Sequence, residues 1–218
     1  MVNFEPKLFL LKKNVLIIAP HADDGELGCG GTVVKLIEQG MVVHYVAFSI
    51  GEETIPNGVD KNIMLSECKS ATKKLGIDPD NLIIKRFPIR KFNLYRQDIL
   101  ELLIEIRDRI KPDIVFMPSS QSLHQDHKTV YQEGVRAFKH TTCYGYDLPW
   151  DTVNFHTSCF FRLNKNHLNK KIEALNMYQT LNHRVYFDEE FIIGLAKVRG
   201  AQIKTNSAEA FEIIRIIL

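Results

Sequence analysis

Two patterns of apolar residues alternate along the chain, and each predicts a different kind of element. Short continuous apolar runs, rich in Val and Ile, are typical of strands that are buried on both faces. Such runs cover residues 14–20, 41–50, 81–89 and 111–118. Between and after them, apolar residues recur every three or four positions, which predicts helices over 30–39, 61–75, 96–110 and 126–139.

This order of strand, helix, strand and helix predicts the fold class. Short connections require right-handed crossovers, so the strands should form a mostly parallel sheet with helices on both faces. The last third is less regular and predicts strands over 141–150, 154–163 and 210–218 and helices over 165–178 and 189–203. With no internal repeat or linker, residues 1–218 are expected to form one domain, an α/β three-layer, Rossmann-like sandwich.

Composition and charge exclude several classes of partner. Hydrophobic residues make up 45% of the chain and charged residues 25%, the ordinary range for a soluble globular protein. The formal net charge of +2 requires neither nucleic acid nor an anionic membrane as a partner. No apolar run approaches the roughly 18–20 residues that cross a bilayer, and residues 1–14 do not resemble a signal peptide. Four cysteines scattered without CxxC spacing favour reduced thiols, so the sequence predicts a cytoplasmic protein.

Histidines and aspartates follow two of the predicted strands, at the point where each strand ends. The first group comes directly after the strand at 14–20, and the second follows the strand at 111–118. The six residues are His21, Asp23, Asp24, His124, Asp126 and His127. In parallel sheets, ligands bind beyond the carboxyl ends of the strands, so both groups should project toward the same edge. This convergence predicts a functional site.

Three of these side chains form a suitable set of metal ligands. His21, Asp24 and His127 would supply two imidazole nitrogens and one carboxylate oxygen, and a catalytic zinc has three protein ligands and one open position. The same set suits non-haem Fe²⁺, so the ligand types leave the metal open between zinc and another divalent ion.

The remaining side chains are candidates for the chemistry. Asp23 lies beside the ligands without being needed as one, and a carboxylate there can take a proton from a water that a metal has acidified. His124, three residues before His127, could face the same pocket and stabilise a developing oxyanion when it is protonated. Asp126 could orient either His124 or a ligand histidine.

Two other interpretations compete with a metal site. Paired aspartates before a helix often only cap it and complement its dipole, which explains either group alone about equally well. The sequence GCGG after the first strand suggests a phosphate-binding turn, but Gly28, Gly30 and Gly31 match the G-x-G-x-x-G pattern only in part. No acidic residue is clearly placed at the end of the second strand. We therefore interpret these glycines as allowing a tight turn and close packing of the helix on the sheet.

Two motifs in the sequence resemble those of a known family. PHADDGELGCGG is similar to the P-H-x-D-D motif of the PIG-L/LmbE-like zinc-dependent N-deacetylases, and HQDH is similar to their second motif, H-x-D-H. The similarity extends over almost the whole chain, and VRGAQIKTNSAEAF resembles the C-terminal segment of bacterial sugar-modifying members. The resemblance implies zinc-dependent hydrolysis of the N-acetyl group of an N-acetylglucosamine-type amino sugar. The carrier would be a nucleotide sugar, a thiol precursor or an antibiotic intermediate, and the products would be acetate and a free amine.

The same resemblance implies a role for each motif residue. His21, Asp24 and His127 match the zinc ligands of the family. Asp23 matches the general base, and His124 matches the histidine that stabilises the oxyanion. These are the roles that the residue types and their spacing suggest independently.

One position departs from the family pattern. Many members have glutamate directly after the paired aspartates, whereas this chain has Gly25 there and places Glu26 one position later. The departure affects none of the implied zinc ligands, and the resemblance assigns Glu26 no role.

Four residues outside the motifs are candidates for binding the sugar or its carrier, because they lie in loops after predicted strands or in an aromatic-rich segment. They are Glu53, Arg90, Arg96 and Tyr144. Arginine binds phosphate or sugar oxygens through two donors at once, and an aromatic ring can form one wall of a sugar site. A solvated loop or core packing explains each of these residues as simply. Further candidates for the same pocket are Glu52, Tyr146, Trp150, His183 and Arg184.

The expected partner is a small amino-sugar substrate, and base rates alone make a symmetric homo-oligomer plausible. Two other functions compete with an enzyme: a nucleotide-binding α/β protein that uses the glycine turn, and a non-catalytic sugar-binding protein on the same scaffold. The first predicts no stoichiometric metal and no effect of His127→Ala on ligand binding. The second has no use for a base beside an unused metal, so Asp23 argues against it.

Overall fold

A computed structural model describes residues 13–217 of the chain. The strands in this range are β1 (Asn14–His21), β2 (Val42–Ser49), β3 (Leu82–Ile84), β4 (Ile114–Pro118), β5 (Thr142–Tyr146), β6 (Cys159–Arg162) and β7 (Ala208–Arg215). The α-helices are α1 (Asp24–Glu38), α2 (Ile63–Leu75), α3 (Arg96–Ile110), α4 (Gln125–Ala137), α5 (Lys165–Leu175) and α6 (Glu189–Gln202). None of these helices is long and apolar enough to span a membrane. The expectation about a leader concerns residues 1–14 and falls almost entirely outside the described range.

The strands form one sheet in the order β3-β2-β1-β4-β5-β7-β6. The five strands from β3 to β5 in this order run parallel, and β7 pairs antiparallel with both β5 and β6. The prediction of a mostly parallel α/β sheet is confirmed. The chain moves outward from β1 through β2 to β3 and then returns to place β4 on the other side of β1. Open α/β sheets bind ligands at such a reversal of strand order, which here lies between the ends of β1 and β4.

β1 is buried on both faces, and its residues alternate between two hydrophobic cores. Ile17 packs in the core formed with α1, α2 and α5, whereas Ile18 packs on the opposite face with α3 and α4. Both side chains are fully buried. Because neither face meets water, residues 15–20 of the strand are all apolar, instead of every second one. The two cores make the three-layer sandwich that the pattern predicts.

Element boundaries differ from the predicted ones where polar residues or proline interrupt the pattern. α1 begins at Asp24, well before the predicted start at Gly30, because its first turns bury acidic residues and glycines instead of an apolar stripe. β3 spans only Leu82–Ile84 and not 81–89. Lys85 and Phe87 still donate to carbonyls of β2, and Pro88, which has no N–H group, cannot continue this pairing.

α1 is interrupted at Cys29, whose φ of −145° and ψ of 17° are not helical. The break frees backbone groups that a continuous helix would pair. Lys171 of α5 donates to the carbonyl of Leu27 (2.6 Å) and to the carboxylate of Glu209 in β7 (2.7 Å). Glu209 in turn accepts from two amide groups beyond the break, at 3.0 and 2.6 Å. A buried ion pair thus replaces the lost helical hydrogen bonds, with its positive end at the carbonyl and its negative end at the N–H groups.

The glycines around this break allow close packing. A side chain at Gly28 would overlap the ring of Tyr146 in β5, and one at Gly31 would overlap Leu163. The Tyr146 hydroxyl donates to the carbonyl of Ile18 in β1 (2.9 Å), so the ring cannot easily move away. This geometry agrees with the interpretation of GCGG as a packing segment.

Candidate metal centre and active site

The histidines and aspartates predicted at the two strand ends lie together at the switch between β1 and β4. His21 ends β1, Asp24 opens α1, and His127 lies in the first turn of α4. A cavity of about 200 Å³ opens at this edge, and five of the six side chains line it. The sixth, Asp126, is fully buried next to His21.

Three ligand atoms form a compact triangle at the cavity floor. Asp24 Oδ2 is 3.0 Å from His21 Nδ1 and 3.2 Å from His127 Nε2, and the two ring nitrogens are 3.3 Å apart. Metal–ligand distances of 2.0–2.2 Å in a tetrahedral site place neighbouring ligand atoms about 3.3–3.6 Å apart. The triangle therefore fits a divalent metal ion with little movement. One nitrogen from His124 also lies within 4.8 Å of those of the other two histidines.

A buried carboxylate orients the first histidine. Asp126 Oδ2 is 3.0 Å from His21 Nε2 and accepts from the amide of Arg90 (2.6 Å), while Oδ1 accepts from the amide of Phe92 (3.2 Å). With its Nε2–H donated to Asp126, His21 presents the lone pair of Nδ1 to the triangle. Of the two roles that the sequence leaves open for Asp126, the structure places it against a candidate ligand histidine.

The second histidine is oriented by residues that the sequence analysis missed. His127 Nδ1 lies 3.1 Å from Ser122 Oγ and 3.7 Å from Asp151 Oδ2, which leaves Nε2 facing Asp24. Ser122 precedes the H-x-D-H motif in the loop after β4, and that position is the one local signal that could have indicated it. Asp151 follows β5 and has no such signal, because only the folded chain brings it to the site.

The electrostatics of the triangle favour a cation. Burial disfavours the charged form of His21, but the Asp24 and Asp126 carboxylates outweigh burial and raise its pKa to about 10. Burial likewise opposes the charge on Asp24, yet His127 and His21 hold its pKa well below the usual range. The carboxylates thus stabilise positive charge between them, which is what a bound divalent metal would supply.

Asp23 lines the cavity without joining the triangle. Only 7% of the surface of Asp23 is exposed to solvent. Burial and the neighbouring Asp24 raise the pKa of its carboxyl to about 6, although His21 and Arg184 act in the opposite direction. A carboxylate with this pKa can both accept and release a proton near neutral pH.

His124 is held as a neutral imidazole, which differs from the protonated form expected from the sequence. Its Nδ1 accepts a hydrogen bond from the amide of Asp126 (3.1 Å), so the ring proton must be on Nε2. Burial, together with His127 and His21, lowers the pKa of His124 to about 4. Burial is the main cause, and the backbone N–H of Asp126 also occupies the lone pair that protonation would need. The Nε2–H group is still a hydrogen-bond donor.

Glu26 has a defined place beneath the site. Its buried carboxyl contacts the hydroxyls of Tyr45 and Tyr178 (2.9 Å for Tyr178), and both hydroxyls also contact the carbonyl of Ala22, at 3.0 and 2.6 Å. These four contacts between oxygen atoms share only two hydroxyl hydrogens. A protonated, neutral Glu26 provides a third hydrogen for them. Burial raises its pKa to about 8. At Gly25, directly after the paired aspartates, a side chain would overlap the Tyr45 ring.

One of the four predicted substrate-binding residues lines the cavity. Arg90 lies at its rim. Glu53 is exposed in the turn Glu52–Thr54 and is not part of the wall. Arg96 is bound to a buried glutamate of α4, with 2.7 Å between its Nε and the carboxylate. Tyr144 stacks on a phenylalanine of β4, with 5.3 Å between ring centroids, because it points from the middle of β5 onto the sheet face.

Loops after β5 and α5 complete the cavity wall. Trp150 and Tyr186 stack with ring centroids 3.8 Å apart and an angle of 12° between planes. Both rings line the cavity, as does Arg184. The sequence suggests Trp150 and Arg184 as further candidates, whereas Tyr186 belongs to no pattern that the sequence analysis used.

Two histidines and a carboxylate that converge at the switch point of a mostly parallel sheet could hold a divalent metal ion, as catalytic zinc sites do. The sequence model of the PIG-L family, described as GlcNAc-PI de-N-acetylase, matches residues 16–138, more than half of the chain. The chain belongs to this family of hydrolytic N-deacetylases, which confirms the resemblance of the two motifs.

Individual relatives cover most of the chain. The "uncharacterized deacetylase YaiS" of Escherichia coli (strain K12) is 26% identical over 175 residues, 78% of this chain and 92% of that protein. The solved structure of the conserved protein TT1542 from Thermus thermophilus superposes with a TM-score of 0.80 at 22% identity, covering 94% of this chain and 96% of the other. The N,N'-diacetylchitobiose deacetylase from Pyrococcus horikoshii gives 0.76 at 19% identity, covering 93% and 84%. At these identities the two structures establish the fold.

Proposed function

We propose that this protein is a metal-dependent N-deacetylase that removes the acetyl group from an N-acetylglucosamine-type amino sugar on a small-molecule carrier. The observation that carries the proposal is the triangle of His21, Asp24 and His127 with Asp23 beside it. Family membership supports the reaction. The name of the Pyrococcus relative, a diacetylchitobiose deacetylase, supports an amino-sugar substrate.

His21, Asp24 and His127 would hold the metal, and we propose Zn²⁺ because two imidazoles and one carboxylate make a three-ligand catalytic zinc site. Fe²⁺ takes the same donors and is the other candidate. When bound, such an ion supplies Lewis acidity to the acetyl carbonyl and makes the attacking water more acidic.

The chain's own residues would move the protons. Asp23 accepts a proton from the water while the water oxygen forms a bond to the acetyl carbon. The same carboxyl then passes that proton to the sugar nitrogen as the C–N bond breaks, so that acetate and a free amine leave. Its pKa of about 6 suits both steps near neutral pH. The Nε2–H of His124 donates toward the carbonyl oxygen as negative charge develops on it.

The test combines metal analysis with amine release from a panel of N-acetylhexosaminides. We expect stoichiometric divalent metal and release of amine and acetate. Asp23→Asn should keep the metal and lower kcat by at least about a hundredfold, the usual cost of losing a general base. Asp98→Asn, at an exposed position on α3, is the matched control and should change neither.

Two outcomes would contradict the proposal. A wild-type protein that binds no divalent metal and releases no amine from any member of the panel would exclude the deacetylase function. Loss of the metal from Asp23→Asn would instead make Asp23 a ligand and overturn its assignment as the base.

A further inference from the structure

Two arginine side chains line the same cavity as the candidate metal centre. Arg184 precedes the turn Val185–Phe187, and Arg90 lies in the loop after β3. Two other arginines of the described chain, Arg96 and Arg199, each have a carboxylate within hydrogen-bond distance. Among residues 13–217, no ion pair within 4.0 Å engages the guanidinium of Arg184 or of Arg90.

Arg184 is held in place by a tyrosine, and not by an ion pair within 4.0 Å in the described range. Arg184 is half-buried, and its Nη1 donates to the hydroxyl of Tyr186 at 2.5 Å. The guanidinium carbon lies 5.8 Å from the centroid of the same ring. These contacts fix the position of the group and use one of its five N–H donors. The other donors remain for a molecule that enters the cavity.

Arg90 occupies a backbone conformation that glycine would adopt more easily. Its φ is 64°, in the left-handed region, where a residue with a side chain costs about 1 kcal/mol or more. The amide of Arg90 donates to Asp126 at 2.6 Å, so the site itself imposes this conformation. A glycine here would keep that hydrogen bond without strain. The presence of arginine therefore points to a use for its exposed side chain.

We propose that Arg184 and Arg90 form an anion subsite that binds an oxyanion, phosphate or carboxylate, on the carrier of the amino sugar. A guanidinium matches either anion with two parallel N–H donors. The inference rests on the proposed deacetylase function, and it names the substrate class: N-acetyl sugars with an anionic group beyond the sugar ring. Trp150 and Tyr186 line the same cavity, and the Tyr186 hydroxyl binds Arg184, so the sugar ring would contact these two aromatic rings beside the guanidinium group.

The experiment measures kcat/KM on three probes: the methyl glycoside of N-acetylglucosamine, N-acetylglucosamine 1-phosphate, and the carboxymethyl glycoside of N-acetylglucosamine. The first is neutral, and the other two distinguish phosphate from carboxylate. We expect wild-type protein to prefer at least one anionic probe by tenfold or more, mainly through KM. Arg184→Gln should reduce this preference at least about tenfold, the effect of losing a charge-assisted hydrogen bond. Arg184→Lys should keep part of the preference for anionic probes, because lysine has the same charge but lacks the two parallel N–H donors of arginine.

Arg162→Gln is the matched control, because Arg162 is an exposed arginine on β6 that does not line the cavity. It should leave the preference unchanged. Equal kcat/KM on all three probes would overturn the subsite while leaving the deacetylase function intact. A uniform fall in kcat on all three probes in Arg184→Gln, with unchanged KM, would also overturn it, since the arginine would then act on Asp23.

Failure of the proposed function is recognised separately. If no probe releases amine, calorimetric binding of N-acetylglucosamine 1-phosphate and of the methyl glycoside to the metal-loaded protein still tests the subsite. Tighter binding of the phosphate that Arg184→Gln removes would support it. Equal binding of the two probes would exclude it.

Discussion

Replacing Asp126 by asparagine tests whether this buried carboxylate positions His21 for metal binding. Its two oxygens accept three hydrogen bonds, from His21 Nε2 (3.0 Å), the amide of Arg90 (2.6 Å) and the amide of Phe92 (3.2 Å). All three partners are N–H donors. An amide has only one acceptor oxygen, so in Asp126→Asn the NH₂ group must face at least one N–H group.

The magnitude follows from that geometry. The better orientation of asparagine keeps its oxygen toward His21 and Arg90 and leaves the Phe92 amide unpaired. Losing one hydrogen bond to a charged acceptor costs about 1.5–3 kcal/mol, and the two remaining bonds lose their charge assistance. We expect a fall of that size in the free energy of unfolding. Because His21 also loses the partner that fixes its tautomer, metal affinity should fall about 10–100-fold.

Competition with a chromophoric chelator measures the metal affinity, and chemical denaturation measures the stability. The control is Asp113→Asn, because Asp113 also accepts from a backbone amide, that of Asn14 at 2.8 Å, but lies at the opposite end of β4. This variant should lose some stability and keep the wild-type metal affinity. If Asp126→Asn binds metal as tightly as wild type, the carboxylate is only structural and the reasoning is refuted.

Four further predictions test individual residues. His124→Phe removes the Nε2–H donor and should lower kcat about 10²–10³-fold with the metal retained; loss of metal, measured by elemental analysis, would make His124 a ligand. kcat/KM should rise with pH through an acid limb near 6, because Asp23, with its pKa raised to about 6, must be ionised to act as the base; a flat profile would exclude it. The pKa of Glu26 is raised to about 8 in the folded chain, so its contribution to stability is complete below about 4.5 and is lost as pH rises toward 8. Thermal unfolding of Glu26→Gln should therefore show a smaller fall in Tm between pH 5 and 8 than wild type, and an equal fall would contradict a neutral Glu26. Gly28→Ala should cost about 1–3 kcal/mol in denaturant unfolding because its methyl group overlaps the Tyr146 ring; no loss would contradict the close packing.

The parts of the fold that the sequence predicted are those whose burial is uniform. β1 is apolar from Val15 to Pro20 because both of its faces are covered. α3 keeps one apolar stripe, and its predicted limits agree with Arg96–Ile110. The start of α1 was missed because Asp24 and Glu26 are buried there as polar groups with specific partners. Periodicity detects apolar burial, and it cannot detect a buried carboxyl that is paired by residues distant in the chain.

The candidate site shows the same division. The convergence of the three candidate metal ligands could be predicted because they follow strand ends, and parallel strands bring those ends to one edge. The aromatic-rich segment suggests a pocket position for Tyr144, but this residue lies inside β5 and points onto the sheet face. Asp151 and Tyr186 reach the cavity from loops after β5 and α5, and no local pattern specifies where such loops pack.

The break in α1 limits how this protein could be recombined with its relatives. The family match ends at residue 138, yet Lys171 and Glu209, which pair the backbone groups freed at the break, lie beyond it. A shortened chain that ended with the matched region would leave a carbonyl and two amides of α1 unpaired, directly after the turn that carries Asp24. A chimera would have to take three parts from the same parent, because they bind one another: the GCGG segment, the lysine of α5 and the glutamate of β7. Exchanging the C-terminal third alone should therefore weaken metal binding, even when every motif residue is kept.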